Sequence, residues 1–110
     1  MECLPLEEQR WFHPDLTRYA AEGLLRNECE GSFLIRRSET IRTDYSLSIK
    51  HSGFLHMKIS RNPKGQYILG EYSQPYSSIP QMIYHYARTL VPVRGADTVT
   101  LCNSVLRQSL

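Results

Sequence analysis

The 110-residue sequence lacks any apolar run close to the roughly 18 residues that a membrane-spanning helix needs. Acidic residues at Glu2, Glu7 and Glu8 break up the start of the chain, so we expect no signal peptide there. Repeats and low-complexity segments are absent, and 41% hydrophobic with 22% charged residues is typical of a folded domain. The sequence therefore predicts one domain with no segment inserted in a membrane.

Cysteine is scarce and irregularly placed. The three cysteines, Cys3, Cys29 and Cys102, are an odd number without the short spacings of a disulfide framework or a zinc site. They predict free thiols in a reducing compartment, hence a cytoplasmic protein, and no metal or other cofactor. A cysteine-dependent phosphatase needs five residues between its cysteine and arginine, whereas six separate Cys29 from Arg36.

Lysine is also scarce, since ten of the 13 basic residues are arginine. Against 11 acidic residues they leave a net charge of +2 and a pI near 8.5, too small a basic excess to favour a nucleic-acid-binding domain. Arginine, however, carries a planar fork that holds phosphate or carboxylate with two hydrogen bonds, which lysine cannot do. The useful question is whether one or two arginines are placed to bind an anion.

Two segments have the spacing of amphipathic helices. In the first, apolar residues recur at positions 16, 20, 21, 24 and 25, after a candidate N-cap at Asp15 or Thr17. In the second, residues 79, 82, 83 and 86 form an apolar stripe after a candidate N-cap at Ser77 or Ser78.

Short β-prone or alternating segments predict strands over residues 32–38, 45–50, 54–60, 66–69 and 98–102, with a loop over 89–97. The order of elements predicts an α+β fold, a central antiparallel β-sheet flanked by two α-helices. We place the domain at residues 11–105, between a lead-in over 1–10 and a tail over 106–110.

Arg36 is the residue that fits its surroundings least. It lies in an apolar strand on the same face as Leu34, where a charge is costly unless it is paired. It is either a strand-end arginine turned to solvent or to an acid, or the floor of a pocket for an anion. Ser38 on the same side, a polar loop over 39–43, and Arg18 and Lys58 would together suit a phosphate dianion.

The stretch FLIRRS at residues 33–38 resembles the Phe-Leu-Val-Arg-Glu-Ser signature of Src-homology-2 (SH2) domains. The resemblance continues in order through residues 11–12, 16–18, 21–22, 24–25, 38–40, 44–48, 56–59, 78–86 and 90–93. Within that family the sequence is similar to the Shb group of adaptors, through residues 38–40, 45–48, 56–58 and 94–96. Pro14, Arg37 and residues 101–104 depart from the group's usual sequence.

The resemblance implies a domain that binds phosphotyrosine in extended peptides. It implies that Arg36 holds two phosphate oxygens and that Arg18 reaches the phosphate and the ring. The other residues implied to contact the phosphate or its pocket wall are Ser38, Glu39 (through loop amides), Thr40, Lys58 and His56. For His56 a purely structural role stays equally open. A second, apolar pocket for residues after the phosphotyrosine is implied at Met57, Leu69, Tyr86, Leu90 and Val91, although core packing is an alternative for each.

The implied function is a non-catalytic docking module of a signalling adaptor. Its partners would be tyrosine-phosphorylated proteins such as receptor or scaffold tails, with no nucleic acid, and the domain would be a monomer. The alternatives are a small cysteine-dependent phosphatase-like enzyme and a basic nucleic-acid-binding domain. Neither has a supporting motif in the sequence.

Overall fold

The computed structural model describes residues 4–41, 43–71, 73–91 and 99–107, and these contain two α-helices and six β-strands. A 3-10 turn over Leu6–Glu8 precedes the first strand. The elements that follow are β1 (Phe12–His13), α1 (Arg18–Leu25), β2 (Ser32–Arg37), β3 (Tyr45–Lys50), β4 (Phe54–Arg61), β5 (Tyr67–Leu69), α2 (Ile79–Tyr86) and β6 (Asn103–Ser104).

The centre of the sheet is antiparallel, in the order β2-β3-β4-β5. The two-residue strands β1 and β6 pair with β2 in parallel, along the edge that does not face β3. Register places Arg36 opposite Ser46 and Ser48 opposite His56. The predicted α+β fold with a central antiparallel sheet is confirmed, and the two short parallel strands widen it.

The helices cover opposite faces of this sheet. Alternation along β2 sends Phe33 and Ile35 into the larger core, which α2 closes with Ile79 and Met82 among others. On the other face Leu34 packs against Ala21 and Leu25 of α1. Arg36 follows Leu34 on the α1 face, so the Arg36 side chain lies just beyond the end of this smaller core.

Hydroxyl side chains decide where the helices begin. The Thr17 Oγ1 accepts a hydrogen bond from the Ala20 backbone N–H at 3.1 Å, and the Ser78 Oγ accepts one from Gln81 at 3.2 Å. Of the candidate caps, Thr17 and Ser78 are therefore the ones used. Each satisfies an orphan N–H of the first turn, a contribution typically worth about 1 kcal/mol.

The closing strand predicted at 98–102 is wrong in position. Val99 and Leu101 are buried, as their alternation suggests, but the pairing with β2 begins at Asn103 opposite Ser32. Gly31, just before β2, has a φ of +90°, and its carbonyl accepts a hydrogen bond from the Cys102 N–H at 3.1 Å. A Cβ at this position would collide with the Cys102 Sγ. The close approach of residues 31 and 102 leads directly into the strand pairing that begins at Asn103.

The lead-in carries more structure than its polar sequence indicated. Leu6 is buried and belongs to the larger core. Arg10 and Arg107 exchange hydrogen bonds, from the Arg107 N–H to the Arg10 carbonyl at 2.7 Å and from the Arg10 guanidinium to the Arg107 carbonyl at 2.8 Å. The domain limits at residues 11 and 105 stay a prediction, and most of the predicted loop over 89–97 lies outside the described residues.

Candidate functional site

An open cavity of about 300 Å3 lies where α1, β2, β3, β4 and the loop after β2 meet. The structure brings all seven residues that were predicted to contact phosphate to this cavity. Its lining consists of Arg18, Arg36, Ser38, Glu39, Thr40, Ile41, Ser46, His56, Met57 and Lys58.

Arg36 forms the floor of the cavity and is only 4% exposed. Its Nε donates to the Ser48 Oγ at 3.1 Å, while its Nη1 lies 3.8 Å from a Glu39 carboxylate oxygen. Burial lowers the pKa of Arg36 and Glu39 opposes that shift, but a guanidinium starts so high that it stays protonated. The interpretation of Arg36 as a strand end turned to solvent is therefore wrong, while the contact with an acid that the same interpretation allowed is present, to Glu39.

A chain of hydrogen bonds fixes the plane of the Arg36 guanidinium. The His56 Nδ1 lies 2.8 Å from the Ser48 Oγ, and the His56 Nε2 lies 2.8 Å from a Glu22 carboxylate oxygen. Because Glu22 can only accept, the His56 Nε2–H donates to it, which leaves Nδ1 to accept from the Ser48 hydroxyl. The Ser48 oxygen then accepts from the Arg36 Nε. Every member of this chain has a partner of the correct kind.

The protonation states of His56 and Glu22 follow from the burial of His56 and from the hydrogen bond between them. Burial lowers the pKa of His56, against the opposing effect of its hydrogen bond to Glu22. The same hydrogen bond lowers the pKa of Glu22. At neutral pH the two are a neutral imidazole and a carboxylate. Together they orient Arg36 without adding a second cation beneath it.

The sequence analysis missed Ser46, Ser48 and Glu22. The serines are the polar residues of an alternating strand, and Glu22 lies one helical turn after Arg18. The sequence pattern around each of them is typical of solvent-exposed residues. Their position becomes visible only through the pairing of β3 with β4 and the packing of α1. The β3–β4 register that sets Ser48 against His56 is the signal that could have found the serine.

The loop after β2 is closed by its own polar groups. The Ser38 Oγ accepts from the Ile41 N–H at 3.2 Å and lies 3.4 Å from the Thr40 Oγ1. The Ser38 N–H donates to the Asp44 carbonyl at 2.9 Å, and the Asp44 N–H donates to the Ile41 carbonyl at 2.9 Å. The two hydroxyls therefore lie side by side at the cavity. Residue 42 is outside the described part of this loop.

The side chain of Glu39 lies at the cavity, which the sequence analysis did not predict. Its Oε2 accepts from the Arg18 backbone N–H at 2.7 Å, at the first turn of α1. The same oxygen is the one 3.8 Å from Arg36. The sequence predicted that backbone amides near residue 39 would donate hydrogen bonds to the phosphate. The structure also places the negatively charged carboxylate of Glu39 at the cavity.

Two more cations stand at the rim. The side chain of Arg18 is 65% exposed and that of Lys58 is 60% exposed. Arg18 lies 3.8 Å from Glu22, and the Lys58 Nζ lies 3.4 Å from an Asp44 carboxylate oxygen. A buried arginine with two exposed cations at the rim is an arrangement that can hold one small dianion.

The cysteine considered as a candidate nucleophile lies away from these donors. Cys29 is exposed, and its thiol lies 3.4 Å from the Ser32 Oγ and is not part of the cavity lining. Among the described residues, no group of three or more His, Cys, Asp and Glu side chains could hold a metal ion. Nor is any helix in the described ranges long and apolar enough to cross a membrane.

Residues 11–86, which include the cavity and both helices, match the SH2 domain family. The chain belongs to that family. It is 46% identical over 108 residues to SH2 domain-containing adapter protein D of Homo sapiens, and 41% identical over 109 residues to SH2 domain-containing adapter protein B of Homo sapiens. Tyrosine-protein kinase Abl of Drosophila melanogaster is more distant, at 31% over 96 residues. The predicted resemblance to Shb-group adaptors is confirmed.

These relatives are much longer than the chain. The matches cover 97%, 98% and 86% of this chain but only 32%, 21% and 6% of the three proteins. The likeness therefore concerns one domain of each relative.

The residues predicted for a second pocket in this SH2 domain differ widely in exposure. Leu69 is fully buried, Tyr86 and Val91 are 4% exposed, and Leu90 is 55% exposed. Met57 packs against the larger core and also lines the phosphate cavity. Burial raises the pKa of Tyr86, and a hydrogen bond with Tyr76 raises it further, as expected for a core tyrosine. The assignment of this second pocket stays a prediction.

Proposed function

We propose that this SH2 domain binds phosphotyrosine in extended peptides, with Arg36 as the main phosphate ligand. The observation that carries the proposal is the buried guanidinium at the floor of a cavity, oriented by Ser48 and the His56–Glu22 pair. Ser48 takes up the Arg36 Nε and the Nη2 lies 3.5 Å from the His56 Nδ1, so the Nη1 group and the second N–H of Nη2 remain to donate to phosphate oxygens. Charge-assisted bonds in this forked geometry are among the strongest that a protein offers an anion.

The remaining cavity residues complete the phosphate shell in this proposal. The Ser38 and Thr40 hydroxyls and the loop amides around Glu39 donate from one side. Arg18 and Lys58 close over the phosphotyrosine ring from the rim, where Arg18 also makes a cation–π contact. His56 acts mainly from behind, through its bonds to Ser48 and Glu22.

Depth gives the selectivity for tyrosine. Because Arg36 is almost completely buried, only a phosphate carried on a long rigid side chain reaches it while the peptide backbone stays at the surface. Phosphoserine is too short to do so. The proposed ligand is therefore phosphotyrosine rather than phosphoserine or free acidic side chains.

We further propose that residues after the phosphotyrosine cross β4 to the α2 face. Met57, on that face, offers an apolar contact next to the phosphate cavity, and Leu90 is an exposed apolar side chain after α2. This predicts tolerance for apolar residues C-terminal to the phosphotyrosine. A phosphopeptide array should show such sequences among the strongest binders, and selection of acidic residues alone at these positions would contradict the prediction.

The parent protein, in this proposal, is a non-enzymatic cytoplasmic adaptor. Its partners are tyrosine-phosphorylated receptor or scaffold tails, bound by a monomeric domain without a cofactor. The similarity to two adapter proteins supports this role. A phosphatase-like enzyme finds no support, since Cys29 lies outside the cavity lining. A nucleic-acid-binding role finds none either, since a net charge of +2 is too small a basic excess for it.

Calorimetric titration with one peptide in phosphorylated and unphosphorylated forms tests the proposal. We expect binding of the phosphorylated form only, and a loss of at least about 100-fold for Arg36→Lys, because a lysine keeps the charge but not the fork. Arg61→Lys, an exposed arginine outside the phosphate cavity, is the matched control and should bind like the unmodified domain. Equal affinity for the two peptide forms would overturn the proposed function.

A further inference from the structure

Each cation of the phosphate cavity is already faced by a carboxylate of the same chain. The pairs are Arg36 with Glu39 at 3.8 Å, Arg18 with Glu22 at 3.8 Å, and Lys58 with Asp44 at 3.4 Å. A phosphate that enters the cavity therefore meets cations whose charge is partly balanced. The affinity for phosphate therefore depends on whether these carboxylates stay beside the cations or move away, as well as on the contacts of the phosphate itself.

Glu39 differs from the other two acids in what it touches. Among the described residues it is the acid that contacts both Arg36 and the first turn of α1, where its Oε2 accepts the Arg18 N–H at 2.7 Å. That N–H is one of the orphan donors at the positive end of the helix. The carboxylate thus sits between two groups that also attract a phosphate.

The loop does not need the Glu39 side chain to keep its shape. Bonds of Ser38 to Ile41 and to Asp44, and of Asp44 to Ile41, close it without that carboxylate. The Glu39 side chain is 49% exposed, so it can turn into solvent by rotation about its own bonds. Removal from the cavity therefore requires no unfolding of the loop.

We propose that the Glu39 carboxylate is an internal competitor, which takes the anion position when no phosphate is bound and leaves it when phosphotyrosine enters. The inference rests on the proposed function and adds a residue that sets its strength. A phosphate carries about −1.5 to −2 charge at neutral pH, so it displaces a carboxylate of charge −1. A carboxylate of an unphosphorylated peptide has no such advantage. Glu39 thereby keeps acidic peptides out of the cavity at some cost in affinity for phosphotyrosine.

Glu39→Gln tests this directly, because it removes the competing charge and keeps the backbone amide. Calorimetry with a phosphotyrosine peptide at pH 7 and low salt should show about three- to tenfold tighter binding, the range set by one exposed ion pair and one helix-terminal charge. Glu8→Gln is the control, since it makes the same change in net charge in the exposed 3-10 turn outside the cavity. It should change affinity less than twofold.

A second readout does not depend on peptide binding. The Arg18 amide resonance of the unliganded domain, followed by NMR at pH 7, should differ between the unmodified domain and Glu39→Gln, because the carboxylate that accepts this N–H is replaced. Phenyl phosphate added at pH 7 should change the same resonance as it replaces the carboxylate.

The outcomes separate the two claims. Unchanged or weaker binding by Glu39→Gln, with phosphotyrosine still preferred over tyrosine, would overturn the competitor and leave the proposed function intact. An Arg18 amide that responds to Glu39, in a domain that ignores peptide phosphorylation, would overturn the proposed function and with it the competitor's role in binding. An Arg18 amide that behaves identically in both forms would overturn the contact itself.

Discussion

A buried guanidinium needs partners that hold its plane but leave some of its N–H groups to donate elsewhere. Arg36 meets both conditions, because Ser48 takes its Nε while the cavity lies in front of its Nη groups. The cost of burying a charge on an apolar strand is what made this residue stand out in the sequence. Its supporting chain through His56 and Glu22 did not stand out, because those contacts join residues far apart in the sequence.

Two buried histidines give the domain a predictable response to acid. Burial lowers the pKa of His56 and of His13, whose Nε2–H donates to the Val105 carbonyl at 2.8 Å. The unfolded chain then binds more protons than the folded one below its histidine pKa of about 6.5. The histidine contribution to stability is therefore present above that pH and is lost as the pH falls.

Urea unfolding at pH 7.0 and pH 5.5 measures this effect. The free energy of unfolding should be lower at pH 5.5, a range in which Glu22 stays ionised because its pKa is lowered. His13→Gln should reduce the difference, since it removes one of the two titrating groups. A free energy of unfolding that is equal or higher at pH 5.5 would contradict the assignment of both histidines as neutral.

At the scale of elements, Arg37 links three strands from the face opposite to Arg36. Its guanidinium lies 5.8 Å from the ring centroid of Phe12 in β1 and 5.6 Å from that of Tyr45 in β3. Arg37 was noted in the sequence as a difference from the Shb group, with no explanation. Its contacts with the two aromatic rings now explain it.

Arg37→Ala should therefore lower the free energy of unfolding by about 1 kcal/mol, the usual size of a partly exposed cation–π contact. Phosphopeptide affinity should stay unchanged, because the side chain lies on the other face of the sheet. Arg88→Ala is the matched control. Arg88 also lies over an aromatic ring, that of Tyr84, but this contact is local to the end of α2 and does not join different strands. Thermal and urea unfolding measure the stability effect, and a loss of peptide binding in Arg37→Ala would contradict this account.

The elements that the sequence predicted best are those with local signals. Alternation located β3 and β4, and the apolar stripe and serine located α2. The short parallel strands were harder, because β1 and β6 have two residues each and pair with a strand that is distant in the sequence. No pattern within residues 98–104 indicates where pairing with a distant strand begins.

At the scale of the whole molecule, one sheet separates two kinds of surface. The α2 face holds the larger apolar core, and the α1 face holds a small core and the charged cavity. The sequence predicted a helix on each side of the sheet, and it predicted the charged site through Arg36 and the positions of Arg18, Ser38 and Lys58. It did not predict that Glu39 brings a carboxylate to the cavity, because a loop residue's side chain is placed by contacts that no periodic pattern encodes.

The central claim is that the Arg36 guanidinium binds the phosphate of phosphotyrosine. NMR of the arginine side-chain N–H groups during titration with a phosphotyrosine peptide tests it most directly. We predict that the Nη resonances of Arg36 shift strongly and become protected from exchange with water, while those of Arg61 do not change. Saturable binding of the phosphopeptide with no change at Arg36 would contradict the account.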